Sequence, residues 1–266
     1  MNYENYKIKN VLFGLDLDIP VYKYIPLKYV MAMIQNRTLR IDPVSRWEDP
    51  YENWFLKEEF QLVDGARADA KSLIPGVFGQ CWSKIEESDA MWRIYSDVKK
   101  KTEDPTSGLE YLQNSAVRIK TTARKIFDAA YLKDSDMASV FIGCVNYLSQ
   151  EGFNNHVKNL SPLSSLNEAF KNSYFYKRDT FAHEEEIRLI ILAASNGDDR
   201  FKKEFLSFSI DPASFIEELV ADPRLSEEEY QYVSGQLSSV GVPQQHISQS
   251  NLYKFVPITI QLCKKG

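Results

Sequence analysis

The stretch FAHEEEIRLIILA, residues 181–193, constrains this chain more than any other, because three consecutive carboxylates run straight into an apolar segment. Counted in steps of two, Ile187, Leu189 and Ile191 point one way, and Glu186, Arg188, Ile190 and Leu192 point the other. Both sides are mostly apolar, so the segment reads as a central strand covered on both faces. Arg188 is then a charge inside a core and needs an anionic partner. Glu186 shares its face, and Glu184 does too if the chain is already extended there. Two readings stay open. Either the carboxylates only neutralise Arg188, or a carboxylate at the mouth of a rigid strand is held there for chemistry.

The rest of the chain offers partners for such a strand. Residues 1–19 form a leader with one edge strand around 11–17. VYKYI (21–25) is a short strand of β-branched and aromatic residues. Pro26 opens a helix with Leu27, Val30, Met31 and Ile34 on its apolar face, and a strand follows at 38–41. The loop DPVSRWEDPYEN (42–53) is punctuated by two Asp-Pro pairs and is dense in polar and aromatic groups. There Asp49 is expected to cap a helix, with Pro50 at its first position and Glu52 favouring its dipole. VFGQCWS (77–83) is a strand whose Gly79 marks a bulge or a close backbone approach. Ser88 or Asp89 then caps a helix whose Met91, Trp92 and Tyr95 read as core rather than ligand-binding.

Residues 99–108, KKKTEDPTSG, read as a flexible, solvated insertion. AVRIKT (116–121) alternates as a half-exposed strand, with a helix to about residue 131. A long buried strand is expected at 139–148. YFYKR (174–178) precedes the central strand, and its Tyr176, Lys177 and Arg178 are expected to supply a local anion-binding patch. Strands are expected at 205–210 and 215–221. Ser226 with Glu229 has the capping-box spacing of a helix ending near Gly241. Residues 254–262 alternate as a last strand. Strands and short helices without a βαβ rhythm indicate one α+β domain. It would comprise the leader, a strand–helix–strand unit and loop (20–98), the insertion (99–108) and the remaining strands and helices (109–266).

Composition narrows the function. A net charge of −5 argues against a general nucleic-acid coat, though a local basic site remains compatible with it. The 3 cysteines, Cys81, Cys144 and Cys263, match no disulfide or metal pattern and point to a reducing compartment. The 3 histidines, His156, His183 and His246, are dispersed, so no metal site is expected. The N-terminus does not read as a signal peptide and no apolar run reaches membrane length, so the expectation is a cytoplasmic protein without membrane contact. G-x-G-x-x-G, P-loop and G-x-S-x-G motifs are absent.

Taken in order, VYKYIPLKYVMAMIQNRTLRI, the W-E-D-P-Y-E loop, GQCWS with MW-x-x-Y, and YKRDTFAHEEEIRLI resemble a bacterial family known as domain of unknown function 2971. The resemblance covers roughly residues 20–260 and includes a weaker V-A-D-P-R element. Glu48 stands where that family usually has asparagine, and the polar insertion near Lys99 is longer. More distantly, the block order is similar to the ADP-ribosyltransferase fold. The similarity rests on VYKY with its following helix and NRTLR, and on Glu186 leading into IRLII. Lys23 stands where such enzymes usually carry histidine. This second resemblance implies a split central sheet and an enzyme that uses NAD as substrate. Glu186 would be catalytic, Glu184 would be second choice or acceptor activator, and Arg188 would keep the carboxylates ionised and placed. Tyr22, Lys23 and Tyr24 would contact NAD and Ser83 would brace the site. Arg46 would meet the pyrophosphate, with Trp47 or Tyr51 stacking on a ring. It further implies a toxin or anti-phage effector modifying nucleic acid or protein, of a kind that an antitoxin or chaperone accompanies. The alternatives are a non-catalytic binding module of the same fold and a metal-dependent nuclease.

Overall fold

The computed structural model describes residues 9–52, 59–61, 67–69, 76–98, 108–131, 138–158, 171–193 and 203–260. Along the chain the strands are β1 (Val11–Leu12), β2 (Pro20–Pro26), β3 (Thr38–Pro43), β4 (Glu59–Gln61), β5 (Arg67–Asp69), β6 (Gly76–Ser83), β7 (Ala116–Thr122), β8 (Ala138–Cys144), β9 (Asn146–Leu148), β10 (Tyr176–Arg178), β11 (Glu186–Ala193), β12 (Leu206–Ser209), β13 (Glu218–Ala221) and β14 (Ile247–Gln249). The helices are α1 (Leu27–Asn36), α2 (Asp89–Tyr95), α3 (Ala123–Ala130), α4 (Gln150–Lys158), α5 (Pro212–Phe215) and α6 (Glu227–Ser239). Helices and a mixed, mainly antiparallel sheet form one α+β domain, as the sequence implied.

The main sheet runs β1-β8-β11-β6-β2-β7-β13-β14. β11 lies between β8 and β6 and is antiparallel to both, which pairs its two edges, while separate core clusters cover its two faces. The far edge of β6 is divided. Near its C-terminal end Ser83 pairs with Tyr22 of β2, while Gly79 and Phe78 pair with Asp42 and Pro43 of β3. β3 then continues to β12. The sheet therefore forks beside β6. Side chains span the fork where the strand ladder is missing: Lys23 Nζ donates to the Cys81 carbonyl at 2.7 Å, and Gln80 Nε2 donates to the Arg40 carbonyl at 3.0 Å.

One face of the sheet carries the large core. Ile187, Leu189 and Ile191 meet Val117, Ile119, Leu27, Ile126, Phe127 and Leu237 there. The helices that cover it follow local rules. Thr122 caps α3 by accepting from Lys125 N–H at 3.3 Å, and the apolar stripe Ala123, Ile126, Phe127, Ala130 is buried. Ser226 and Glu229 complete the expected capping box of α6. The opposite face carries two separate smaller cores. One contains Val44, Phe141, Tyr174, Phe175 and Ile190. The other contains Tyr22, Tyr24, Met91 and Trp92. A cleft lies beside the second, lined by its Tyr22, Tyr24 and Met91.

Several expectations change. β7 is buried rather than half-exposed, and Arg118 sits inside it near Glu86, Glu87 and Glu218. The expected 139–148 strand breaks at Val145 into β8 and β9. The expected 215–221 strand begins as α5, so only its second half pairs. Asp49 accepts from Tyr51 N–H at 3.0 Å in a turn, and the expected helix beyond residue 52 lies outside the described residues, as does the insertion up to residue 107. The expected last strand is absent over residues 254–260, and Ile247–Gln249, parallel to β13, is the last strand among the described residues. Among the described residues, no helix is long and apolar enough to cross a membrane.

Candidate active site

The cleft is built from the ends of three strands. β2 turns Tyr22 and Tyr24 toward the core around Trp92, whose ring meets Tyr24 edge-on at 4.7 Å. Ser83 closes β6: its hydroxyl donates to the Glu184 carbonyl at 2.7 Å and accepts from Ile85 N–H at 3.0 Å. That ties β6 to the turn preceding β11. The turn, Asp179–Glu184, is a 3-10 helix and not extended chain. Glu185 then adopts a φ of 39°, a left-handed conformation that costs a non-glycine residue about 1–2 kcal/mol. By that bend Glu184 and Glu186 are brought together although the residues before β11 do not follow strand periodicity.

Both carboxylates lie on the wall of a cavity of about 80 Å³ that also includes Tyr22, Lys23, Tyr24, Cys81, Ser83 and Tyr95. Behind this wall is a buried ionic cluster. Lys177 Nζ donates to Glu186 Oε1 at 2.6 Å and to Glu184 Oε2 at 2.8 Å, and forms an ion pair with Glu52 Oε1 at 3.2 Å. The Arg188 guanidinium bonds Glu186 Oε2 through Nε at 2.5 Å, the Tyr174 carbonyl through Nη1 at 2.8 Å, and Glu52 through Nη2. Trp47 stacks against it at 4.6 Å. All five ionisable side chains are buried. The backbone N–H of Glu186 donates to the Tyr147 hydroxyl at 2.8 Å.

Three carboxylates against two cations leave one excess negative charge, which a buried site tolerates poorly. The proton that relieves it goes to Glu184, the carboxyl that faces only one of the two cations. Burial and a hydrogen bond to Glu186 raise Glu184 from an ordinary 4.5 to about 7. Burial works against charge on Glu186 too, but Arg188, the hydrogen bond from Glu184, and Lys177 outweigh it and hold Glu186 below the usual carboxylate range. Lys177 is held above the ordinary lysine range because Glu186 and Glu52 overcome the cost of its burial. Burial lowers Lys23 and raises the Cys81 thiol. At neutral pH the wall thus presents one ionised carboxylate, one carboxyl near its titration point and an unionised thiol.

Six of the residues singled out in the sequence meet around this cavity: Tyr22, Lys23, Tyr24, Ser83, Glu184 and Glu186. Arg188 is fully buried behind Glu186. Arg46 lies apart on the exterior, paired with Asp42 at 2.8 Å and Glu204 at 2.9 Å. Trp47 packs under Arg188. Tyr51 meets Phe153 edge-on at 5.6 Å and the Arg178 guanidinium at 4.4 Å. The expected anion-binding patch at 176–178 is not formed: Lys177 is enclosed by carboxylates and Arg178 pairs with Asp49 at 3.0 Å. Tyr95, read as core, is on the cavity wall.

Lys177 and Glu52 are the members of the cluster that sequence reasoning assigned elsewhere. One signal pointed to Lys177. A buried Arg188 with two glutamates is one positive charge short, and Lys177 is a cation between aromatic residues shortly before the strand. Among the described residues, no group of three or more His, Cys, Asp or Glu side chains is arranged to hold a metal ion. Glu52, Glu184 and Glu186 converge on the Lys177 ammonium, which occupies the place a cation would take.

Among solved structures the chain is similar to Thermus sp. 2.9 DarT in complex with NAD+, at 9% identity over 89% of this chain and 98% of that one, with a TM-score of 0.37. It is similar to the same protein in complex with ADP-ribosylated ssDNA at 12% identity, over 86% and 91% of the two chains, with a TM-score of 0.35. For the complex with carba-NAD+ the values are 10%, 88% and 96%, and 0.34. No protein-family model and no curated protein matches the chain, so the motif resemblance to domain of unknown function 2971 is not joined by a match along the sequence. Identities and TM-scores this low transfer no residue role to this chain.

Proposed function

We propose that this chain is an NAD-consuming enzyme of the ADP-ribosyltransferase type, with Glu186 as its catalytic carboxylate. One observation carries the reading: an ionised glutamate, held rigid by Arg188 and Lys177, stands on the wall of a cavity shared with Tyr22, Lys23, Tyr24 and Ser83. In such a reaction the bond between ribose C1′ and the nicotinamide nitrogen breaks, and nicotinamide leaves neutral with the electron pair. Positive charge develops on the ribose ring, and a fixed carboxylate nearby stabilises it without reorganising. Its hydrogen bonds to ribose hydroxyls orient the sugar. An acceptor nucleophile then attacks C1′ and gives up a proton, for which Glu184 in its ionised form is the nearest base. Tyr22 and Tyr24 supply ring faces for the nicotinamide half, and Ser83 fixes the Glu184 turn. Arg46, Trp47 and Tyr51 do not line the cavity and are assigned no NAD contact.

The cavity's roughly 80 Å³ is well below the 300–1,000 Å³ typical of small-molecule pockets. NAD binding therefore requires the cavity to widen. The acceptor is nucleic acid or protein, and the role is that of a toxin or anti-phage effector.

The test is nicotinamide release and transfer of labelled ADP-ribose to single-stranded DNA, RNA and protein. Glu186→Gln is expected to lower turnover by about 10²–10³-fold while a cooperative melting transition remains. Normal labelling by that variant sinks the proposal. The competing reading, a binding module in which the cluster is structural only, is favoured by the complete burial of Arg188. It requires that NAD leave the wild-type melting temperature unchanged.

A further inference from the structure

We propose that Lys177 is the positioning residue of this site: its ammonium bridges Glu184 and Glu186 and holds the pair together on the cavity wall. The inference takes the reaction served from the reading above, but the bridging of Glu184 and Glu186 by one ammonium stands on the distances alone. Lys177 is brought into place by β10, which pairs with β9 and not with the main sheet. Its ammonium sits 4.5 Å from the Phe181 ring centroid, and it lies within 3.2 Å of three different carboxylates. It is the one cation in the cluster within reach of Glu184. Arg188, by contrast, has its bonds committed to Glu186, Glu52 and the Tyr174 carbonyl.

The arrangement has a consequence for pH. Around the pair stand Lys177 from β10, Arg188 from β11, Glu52 from the loop after β3 and Tyr95 from α2. Lys23, Cys81 and Tyr147 complete the surroundings of Glu186. Burial and the hydrogen bond to Glu186 bring Glu184 up to about 7, where it changes charge near neutrality. Its proton is held by the excess of carboxylates over cations, so the count of charges touching Lys177 sets the pH at which the pair changes state. Below that pH the cluster is neutral and Glu184 donates to Glu186. Above it both carboxylates are ionised, and Lys177, the cation that touches both, offsets their mutual repulsion together with Arg188 on Glu186.

Glutamate labelled with ¹³C at the side-chain carboxyl, followed by NMR from about pH 4 to about pH 9, reads the pair directly. Lys177→Met removes one positive charge and is expected to move the near-neutral carboxyl titration upward by about one unit or more. Lys177→Arg keeps the charge and is expected to leave it near the wild-type position. A Met variant that titrates like the wild type overturns the proposal. If the Met variant does not fold, Glu52→Gln serves in its place. It removes a negative charge on the far side of Lys177, so the same titration should move downward, and an unmoved titration overturns the proposal equally. In turnover, Lys177→Met should lower kcat about 10²-fold with KM little changed, and Lys177→Arg should restore much of it. A rise in KM alone counts against positioning. A wild-type chain that turns over no NAD overturns the functional reading, while the NMR titration still decides the role of Lys177.

Discussion

At the scale of single residues, the two glutamates at the start of β11 differ because their partners differ. Glu186 touches both cations of the cluster and stays ionised; Glu184 touches one and holds a proton to about pH 7. This gives stability a pH dependence of known sign. Glu184 is raised above its unfolded value of 4.5, so its contribution is fully present below about pH 4.5 and is lost as pH rises through about 7. Glu186 is lowered, so its contribution is present above about pH 4.5 and is lost as pH falls further. Melting temperature measured from about pH 5 to about pH 8 should therefore fall in part through Glu184, and Glu184→Gln should flatten that slope. An unchanged slope in the variant would show that the proton is held elsewhere. Arg188 and Glu186 were legible as partners from strand periodicity. Glu52 and Lys177 were not, because the contact joins a loop to a short strand of a different sheet, and no local pattern encodes such a contact.

At the scale of elements, Gly79 illustrates how a strand position answers to the layer above it. A Cβ there would lie 2.6 Å from Trp47 Cζ2 and 2.8 Å from Val44 Cγ1. Of the two roles that the sequence allowed for this glycine, close approach is the one the structure uses. Trp47 also stacks on Arg188, so Gly79→Ala pushes the indole off the guanidinium. The expected loss is about 1–3 kcal/mol, read from chemical denaturation, with a further fall in turnover because Arg188 loosens. Retention of full stability would mean that the loop after β3 yields freely. The α6 cap provides a contrast far from the cleft. Ser226→Ala should cost about 1 kcal/mol and leave nicotinamide release unchanged. Capping boxes, apolar helix stripes and strand alternation were readable because each depends on neighbours within a few residues. β7 was misread as half-exposed because its Arg118 and Lys120 look like a solvent face. Arg118 is in fact buried among Glu86, Glu87 and Glu218, which arrive from other elements.

At the scale of the whole molecule, the fork in the sheet is what makes a cleft. β6 shares only the Tyr22–Ser83 bridge with β2 among the described residues, and the face opposite the large core is divided into two smaller cores. The C-terminal segment shows the limit of pattern reading at this scale. Its alternation suggested a strand, yet Phe255, Val256, Ile258 and Ile260 are 81%, 72%, 81% and 78% exposed. β14 already occupies the last place beside β13. Replacing Ile258 and Ile260 by Ser should accordingly change stability by less than about 0.5 kcal/mol. A large drop in melting temperature would show that the segment packs against the domain.

The sequence by itself determined the α+β class, most strands and helices, the caps, and the need for a carboxylate beside Arg188, since all of these follow from periodicity, short-range hydrogen bonding and the cost of burying a lone charge. Tertiary structure alone decided which side chains complete the ionic cluster, where the sheet divides, and which of the aromatic and basic candidates reach the cavity. Those outcomes depend on strand pairing between distant segments and on the sum of charges they bring into one buried volume, and neither quantity belongs to any single stretch of the chain.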